Sequence, residues 1–546
     1  MATSRSDPAP SLRKDVEPES TRAASTATRG ATGAPFRRVL IANRGEIAVR
    51  IIRACHEHGM EAVAVYSDAD ATAQHVRMAD AAVRVGPPPP IESYLRIDAM
   101  VAAAIETGAD AIHPGYGFLA ERAGFARAVE AAGLTFIGPP SSVIDALGDK
   151  LHARRVARRV GVPAVPGTLD PAPVDRPDQV AGILEEAAGI GYPLLVKAAA
   201  GGGGRGMRRV TAPAELPAAL ASGSFEAASA FGDGSVYLER EILPARHIEV
   251  QLLGDDTGRV IAIGERDCSL QRRHQKLVEE APAPGLSHED RRTLHELAIR
   301  VATAAGLRNA ATAEFLRAAD GSFFFLEVNT RLQVEHGVTE LVSGLDIVRE
   351  QFDLAAGRPL SEAALAAAAR AVDPSGHAIE VRIAAEDPAR DFSPTPGRVN
   401  RWVMPAGPGV RVDTAIEPGE RVPPDYDNLI AKVMVHAGDR AGAIRRLRRA
   451  LDETEIGGIQ TTLPFHRFVA RSESFAAGDV STGWVGESWD GPASFELAAR
   501  AGQLTAGIDA LETGLALGTS TVHGPPSADD RWLRAGRLAA MDRWPR

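Results

Sequence analysis

Four stretches of this sequence carry residues whose types and spacing can do chemistry. The first is Tyr192-Pro193-Leu194-Leu195-Val196-Lys197, followed by Gly201-Gly202-Gly203-Gly204-Arg205-Gly206-Met207. An apolar strand ends in a lysine, and the glycines then leave backbone N–H groups open to phosphate oxygens with no side chain in the way. The order is not that of a P-loop, where the lysine follows the glycines. A flexible linker would not have a buried strand abutting it. The second is the pair Glu314, in Thr312-Ala313-Glu314-Phe315-Leu316, and Glu327, in Phe323-Phe324-Phe325-Leu326-Glu327-Val328-Asn329. The turn Ala318-Ala319-Asp320-Gly321-Ser322 between them predicts a hairpin that brings the two carboxylates together. Buried carboxylates repel unless a cation sits between them, and an all-oxygen set suits Mg²⁺, with Mn²⁺ an acceptable substitute.

The third stretch runs on from the second, as Glu327-Val328-Asn329-Thr330-Arg331-Leu332-Gln333-Val334-Glu335-His336. Period two predicts Glu327, Asn329, Arg331, Gln333 and Glu335 on one face wherever the chain stays extended. That face offers metal ligands, then an arginine for an anion, then a carboxylate able to act as a base. The fourth is Glu265–Pro284, where the density of polar and charged groups exceeds what packing requires. Lysine scarcity adds a signpost. Of 61 basic residues only Lys14, Lys150, Lys197, Lys276 and Lys432 are lysine. In so arginine-rich a chain, a retained lysine marks a place where a compact ammonium is needed, as among phosphate oxygens in a tight site.

These residues need elements to position them. Arg38-Val39-Leu40-Ile41 reads as a strand, Gly45 as a turn, and Glu46 onward as a helix with Ile47, Ile51 and Ala54 on one face. A second strand at Glu61–Tyr66 completes a βαβ unit and predicts a parallel sheet, continued by Ala111-Ile112-His113 and Leu134–Gly138. The Pro-rich stretch 163–177 predicts a boundary or hinge, and from about 236 to 335 the strands read as hairpins. Residues 1–35 are poor in anything to bury and read as a disordered tail, while 481–546 read as an Ala/Gly-rich, partly helical tail.

A chain of 546 residues with 45% hydrophobic and 24% charged residues predicts three or four globular domains. The net charge of −10 argues against a nucleic-acid partner, and no apolar run reaches membrane-spanning length. With two cysteines and no secretory h-region, the expected location is the reducing cytoplasm.

Together the stretches closely resemble biotin carboxylase, the ATP-grasp component of biotin-dependent carboxylases. The resemblance runs from about 37 to 480 and is carried by Ile41-Ala42-Asn43-Arg44-Gly45-Glu46-Ile47-Ala48, Ile112-His113-Pro114-Gly115-Tyr116-Gly117-Phe118-Leu119, the Gly201–Met207 loop, the Glu265–Pro284 block and Glu327–Glu335. It implies an α/β fold with an N-terminal βαβ domain at 36–150, an ATP-grasp domain at 151–355 whose lid spans about 169–241, and a mixed α+β C-terminal domain at 356–480.

By motif position, the resemblance implies ATP contacts from Lys150, Lys197, Gly202, Gly203, Gly204, Glu239, Ile242, His247, Gln271 and His274. It implies Mg²⁺ ligands in Glu314, Glu327 and Asn329, and a bicarbonate cradle of Lys276, Arg331, Gln333 and Val334. Glu335 matches the general base, and Arg382 the arginine that stabilises the biotin enolate. The implied reaction is phosphorylation of bicarbonate by ATP to carboxyphosphate, then carboxylation of the ureido N1 of biotin, with the lid keeping water from the carboxyphosphate. No lysine here has a neighbouring methionine, so the Met-Lys-Met acceptor of a biotin carrier domain is missing. Biotin is therefore expected on a separate biotin carboxyl carrier protein. A further expected partner is the carboxyltransferase subunit, in a homodimer or hetero-oligomeric complex. The competing expectations are a biotin-independent ATP-grasp bicarbonate ligase and a catalytically silent scaffold subunit. Three departures from the family pattern are Gly337 for proline, Ala384 for asparagine, and Pro408 for a dimer-contact aromatic. Arg50, Arg53 and Glu57 match that family's dimer face.

Overall fold

The computed structural model describes residues 34–172, 177–199, 207–493 and a few positions beyond (496, 500, 503, 504, 507 and 508). The expectations for residues 1–33, for Gly202, Gly203 and Gly204, and for most of the chain past 493 fall outside the described residues.

The N-terminal βαβ reading holds. Strands β1 (Arg38–Ile41), β2 (Glu61–Ser67), β3 (Ala81–Gly86), β4 (Ala111–His113) and β5 (Thr135–Phe136) form a parallel sheet in the order β3-β2-β1-β4-β5. Val39, Leu40 and Ile41 are all buried, as a central strand covered on both faces requires. Gly45 takes φ +67° and opens the helix Gly45–Glu57, whose Ile47, Ile51 and Ala54 pack into the core as expected. The two N-terminal motifs meet here, because the Asn43 side-chain amide donates to the carbonyls of Pro114 and Tyr116 at 2.8 and 2.7 Å. Gly115, at φ +64°, leaves room for that amide: a Cβ there would lie 2.9 Å from Asn43 Nδ2.

A small antiparallel sheet follows, with β6 (Leu194–Ala198) between β7 (Arg208–Val210) and β8 (Val236–Arg240). Helices Pro177–Ile190 and Leu216–Phe231 accompany it, and it has its own core of Ile183, Leu194, Val196, Val210, Leu216, Leu220 and Leu238.

The largest sheet has eight antiparallel strands: β9 (Ala245–Gly254), β10 (Val260–Arg272), β11 (Gln275–Ala281), β12 (Asn309–Ala318), β13 (Phe323–Asn329), β14 (His377–Ala384), β15 (Val410–Thr414) and β16 (Leu429–Ala437). Their order is β13-β12-β9-β10-β11-β14-β16-β15, so one sheet runs from the β12–β13 hairpin to the C-terminal strands. The hairpins read from sequence are present, but helix His288–Ala304 separates β11 from β12, and β12 pairs with β9. That helix starts cleanly because Ser287 and Asp290 form a reciprocal capping box. The C-terminal strands bury Val381, Val433 and Val435 against helices Arg440–Glu453 and Leu463–Arg471, and Trp484 and Val485 join the same core. Among the described residues no helix is long and apolar enough to cross a membrane.

Candidate active site

One end of the eight-stranded sheet, across β13, β12 and β9, presents a row of carboxylates. Glu314 on β12 stands in register with Glu327 on β13 to one side and with Glu249 on β9 to the other. Like charges directly opposite on a sheet destabilise it unless cations intervene, and cations surround this row. Lys276 Nζ donates to Glu249, to Glu314 Oε1 at 2.9 Å and to Glu335 Oε1 at 2.6 Å. Arg266, wholly buried, pairs with Glu249 and also donates to Thr339 Oγ1 at 2.9 Å. His247 Nε2 lies 2.9 Å from Glu314 Oε2, and Lys150 Nζ 2.9 Å from Glu327 Oε2. Burial alone would push Glu314 up, but Lys276 and His247 hold it well below the usual carboxylate range. Burial pulls the His247 imidazole down, yet Glu314 outweighs burial and raises it.

Lys276 reaches this row from a tight two-residue turn. Arg273 and His274 both have positive φ, +49° and +65°, in the geometry that closes a β-hairpin and that glycine or asparagine usually supplies. The turn sets Gln271 opposite Lys276 in register and leaves His274 exposed at its tip.

Glu335 departs from the sequence expectation in its local structure. The strand ends at Asn329, and residues 330–335 lead out of the sheet to helix His336–Ser343, with Glu335 at its N-cap position, φ −83° and ψ 13°. Period-two alternation therefore does not carry Arg331, Gln333 and Glu335 along one strand. They converge because the segment folds back over the sheet. Glu335 is completely buried, with Lys276 on Oε1 and the Arg382 Nη2 on Oε2 at 3.0 Å. Burial would raise its pKa; Lys276, Arg382 and Arg266 together hold it well below the usual range. Arg382, on β14, also donates through Nε to Glu279 Oε1 at 2.5 Å. Burial, against the pull of Arg382, pushes Glu279 up to about 7.

Arg331 donates to Gln333 Oε1 at 2.9 Å and to Asn329 Oδ1 at 3.2 Å, and its Nε lies 3.0 Å from Glu121 Oε2. Gln333 and Asn329 in turn donate toward Glu314 Oε1, at 3.4 and 2.9 Å. Arg331, Gln333, Asn329, Glu314, Lys276, Glu335 and Arg382 thus form one connected network. Val334 enters through its backbone, its carbonyl accepting from Lys432 at 2.9 Å.

A second cluster lies at the small sheet. Glu239, buried on β8, pairs with both Lys197 on β6 and Arg154. Burial would raise Glu239, but the two cations lower it. Lys150 belongs to both clusters: burial opposes its charge, while Glu327 and, more weakly, Glu239 raise its pKa. Ile242 sits half-buried in the connection from β8 to β9.

Sequence reasoning missed Glu121, Arg154 and Glu249, and it reached Arg266 and Glu279 only as members of the Glu265–Pro284 block, with no role of their own. The signal for Glu249 was present in His247-Ile248-Glu249-Val250-Gln251, the same polar/apolar alternation as in Glu327–Glu335. Of the three departures, Gly337 lies in the first turn of helix His336–Ser343, and a Cβ there would come 2.3 Å from Met434 Sδ. Met434 therefore fills the space a larger residue would take. Ala384 is buried, its N–H donating to Thr462 Oγ1 at 2.9 Å, and Pro408 is exposed. Arg53 and Glu57 are exposed, whereas Arg50 is spent inside the chain on Glu340 and Asp346.

Comparison with known proteins gives the family. Residues 35–144 match the biotin carboxylase N-terminal domain, 149–363 the ATP-binding domain of the carbamoyl-phosphate synthase L chain, and 380–487 the biotin carboxylase C-terminal domain. The chain belongs to the biotin carboxylase family. That family consists of ATP-dependent ligases, and the mixed α/β fold is the family's fold. Biotin carboxylase of Haemophilus influenzae is 48% identical over 444 residues, 81% of this chain and 97% of that protein. The biotin-dependent acyl-coenzyme A carboxylase alpha3 subunit of Mycobacterium leprae is 47% identical over 458 residues, 83% of this chain and 75% of its own length. Among solved structures, the biotin carboxylase domain dimer of Hydrogenobacter thermophilus 2-oxoglutarate carboxylase, in complex with MgADP, ADP and bicarbonate, superposes with a TM-score of 0.78 at 44% identity, covering 83% of this chain and 97% of that one.

Proposed function

We propose that this biotin carboxylase family member catalyses the first half-reaction of a biotin-dependent carboxylase: ATP phosphorylates bicarbonate, and the carboxyphosphate formed carboxylates biotin on a separate carrier protein. The observation that carries this reading is Glu335, a buried carboxylate with Lys276 on one oxygen and Arg382 on the other.

Bicarbonate is a poor nucleophile. Arg331, with Gln333 beside it, offers the cation that holds the anion next to Glu335. Glu335 takes the hydroxyl proton, and the freed oxygen attacks the γ-phosphorus of ATP, releasing ADP. Resting against Lys276 and Arg382, Glu335 is too weak a base. The incoming phosphates supply new partners for Lys276, and loss of that cation raises the Glu335 pKa toward its working range. Carboxyphosphate then yields CO₂ and phosphate. The released phosphate takes the ureido N1 proton of biotin, the N1 then attacks the CO₂ carbon, and Arg382 stabilises the negative charge on the ureido oxygen.

Lys150, Lys197, Glu239, Ile242, His247, Gln271 and His274 are assigned to ATP, with Gly202, Gly203 and Gly204 added on sequence grounds. Glu314 and Glu327, opposite each other in register, and the Asn329 amide oxygen, which accepts from Arg331 here, would supply an all-oxygen set for Mg²⁺, with Mn²⁺ as substitute. When bound there the ion neutralises charge on the ATP phosphates. A separate carrier is supported by the likeness to the biotin carboxylase of Haemophilus influenzae, 97% of whose own length is matched. A carboxyltransferase subunit would use the product. The dimeric Hydrogenobacter domain supports a dimer here, and the two cysteines, both free, support a cytoplasmic setting.

Steady-state ADP release tests the reading. It should require bicarbonate and rise on adding free biotin. Release that ignores biotin would identify a biotin-independent bicarbonate ligase instead, and a folded, ATP-binding protein with no release at all would be a silent scaffold subunit.

A further inference from the structure

Lys432 is one of the five lysines, and the mechanism above gives it no work. It lies completely buried on β16, in register with Arg382 on β14 and Asp413 on β15. Its ammonium meets three oxygens: the Val334 carbonyl at 2.9 Å, Glu46 Oε1 at 3.2 Å and Asp413 Oδ2 at 3.6 Å. Each acceptor comes from a different part of the chain. Glu46 opens the first helix and also accepts the Tyr116 hydroxyl, so both N-terminal motifs converge on this one lysine. Asp413 is held from behind by Arg411, at 3.0 and 2.8 Å. Val334 is the residue before Glu335, in a segment that is neither strand nor helix. Such a segment takes its shape from side chains: Lys432 on the Val334 carbonyl, His336 Nδ1 2.8 Å from the Gln333 carbonyl, and Arg331 on the Leu332 carbonyl at 3.2 Å.

Three oxygens from three separate segments around one nitrogen suit an ammonium, whose three N–H bonds diverge from one atom. A planar guanidinium donates in a flat fork and cannot face all three. That explains a lysine here in a chain that otherwise uses arginine.

We propose that Lys432 is a positioning residue: it fixes the Val334–Glu335 peptide and thereby the Glu335 carboxylate, with Glu46 and Tyr116 holding the ammonium in place. The proposal rests on the reading of Glu335 as the base. Lys432 touches no reacting atom.

The test uses the full chain as wild type, as Lys432→Met and as Lys432→Arg, with kcat, the KM for ATP and the pH profile of bicarbonate-dependent ATP cleavage measured for each. In both variants kcat should fall by about 10²-fold, the scale of a small misplacement of a reacting group. The KM for ATP should stay unchanged, and the acid limb of kcat should move to higher pH as Glu335 loses its place between Lys276 and Arg382. An unchanged acid limb, or a fall in kcat matched by the loss of folded protein, would overturn the proposal. If Lys432→Met does not fold, Lys432→Met/Glu46→Gln removes the pair without stranding the Glu46 charge and is read in the same way. If that double variant is also unfolded, Lys432 is a folding residue and the positioning role falls. A wild type with no bicarbonate-dependent cleavage would instead overturn the functional reading.

Discussion

Arg382 Nη2 lies 3.0 Å from Glu335 Oε2, so the arginine assigned to biotin grips the carboxylate assigned to bicarbonate. In the proposed reaction the two steps, bicarbonate phosphorylation and biotin carboxylation, therefore share one ion pair. Arg382 holds Glu335 through one nitrogen and Glu279 through another, which in the proposed reaction would couple proton removal from bicarbonate to charge stabilisation on biotin.

Arg382→Ala separates these effects. Biotin carboxylation should fall by at least about 10²-fold, the scale on which losing one oxyanion-stabilising donor acts. Bicarbonate-dependent ATP cleavage without biotin should fall much less. Parallel measurement of ADP release and of carboxybiotin checks this, and equal losses would remove the enolate role.

Glu279 makes stability pH-dependent near neutrality. Its pKa in the folded chain is raised to about 7, so the folded state keeps a proton that the unfolded state releases at ordinary carboxylate pH. Stability should therefore decline as pH rises from the usual carboxylate range through about 7, by at most ~1.4 kcal/mol per pH unit for one proton. Glu314 and Glu335, both depressed, act in the opposite sense, and their stabilisation is lost only as pH falls below the usual range. Thermal unfolding between pH 5 and 8 should show the decline in wild type, and Glu279→Gln should make it shallower without abolishing it, since Glu380, opposite Glu279 in register and also raised, acts in the same sense.

Much of the fold could be read from sequence because its signals are local. A strand, a glycine at positive φ and an amphipathic helix specify the βαβ unit from Arg38 to Ser67, and the Asp320-Gly321 turn specifies the hairpin that puts Glu314 opposite Glu327. Glu249 is not legible as a site residue in the sequence, and Glu279 is legible only as part of the Glu265–Pro284 block, because their place in the site is set by cross-strand register, and register between β9 and β12, or between β11 and β14, joins segments far apart in sequence. Glu335 was found through alternation, yet the chain leaves the strand at Asn329, where side-chain anchors such as Lys432 take over from the ladder. No periodicity encodes that.

Gly337 and Met434 are a packing pair. A methyl group added at 337 meets the Met434 sulfur, so Gly337→Ala should destabilise the chain by ~1–3 kcal/mol, the usual range for overpacking. Adding Met434→Val should restore most of the loss. Urea unfolding of the single and double variants checks the coupling; additive losses would contradict it.

Metal removal should abolish ATP cleavage without unfolding the protein. Lys276, His247 and Lys150 pair with Glu314 and Glu327, so the chain's own cations offset the repulsion within the row. A chelator should therefore leave the melting temperature unchanged while activity disappears and returns with Mg²⁺. A large drop in melting temperature would mean that the carboxylate row depends on the ion for folding.

The most direct test of the account is transfer of ¹⁴C from bicarbonate into acid-labile carboxybiotin, with MgATP and free biotin, by wild type and Glu335→Gln. The account predicts label in biotin with wild type, and none with Glu335→Gln although that variant still binds ATP. Full labelling by Glu335→Gln would contradict the base assignment, and ATP cleavage by wild type without any labelled biotin would contradict the proposed reaction itself.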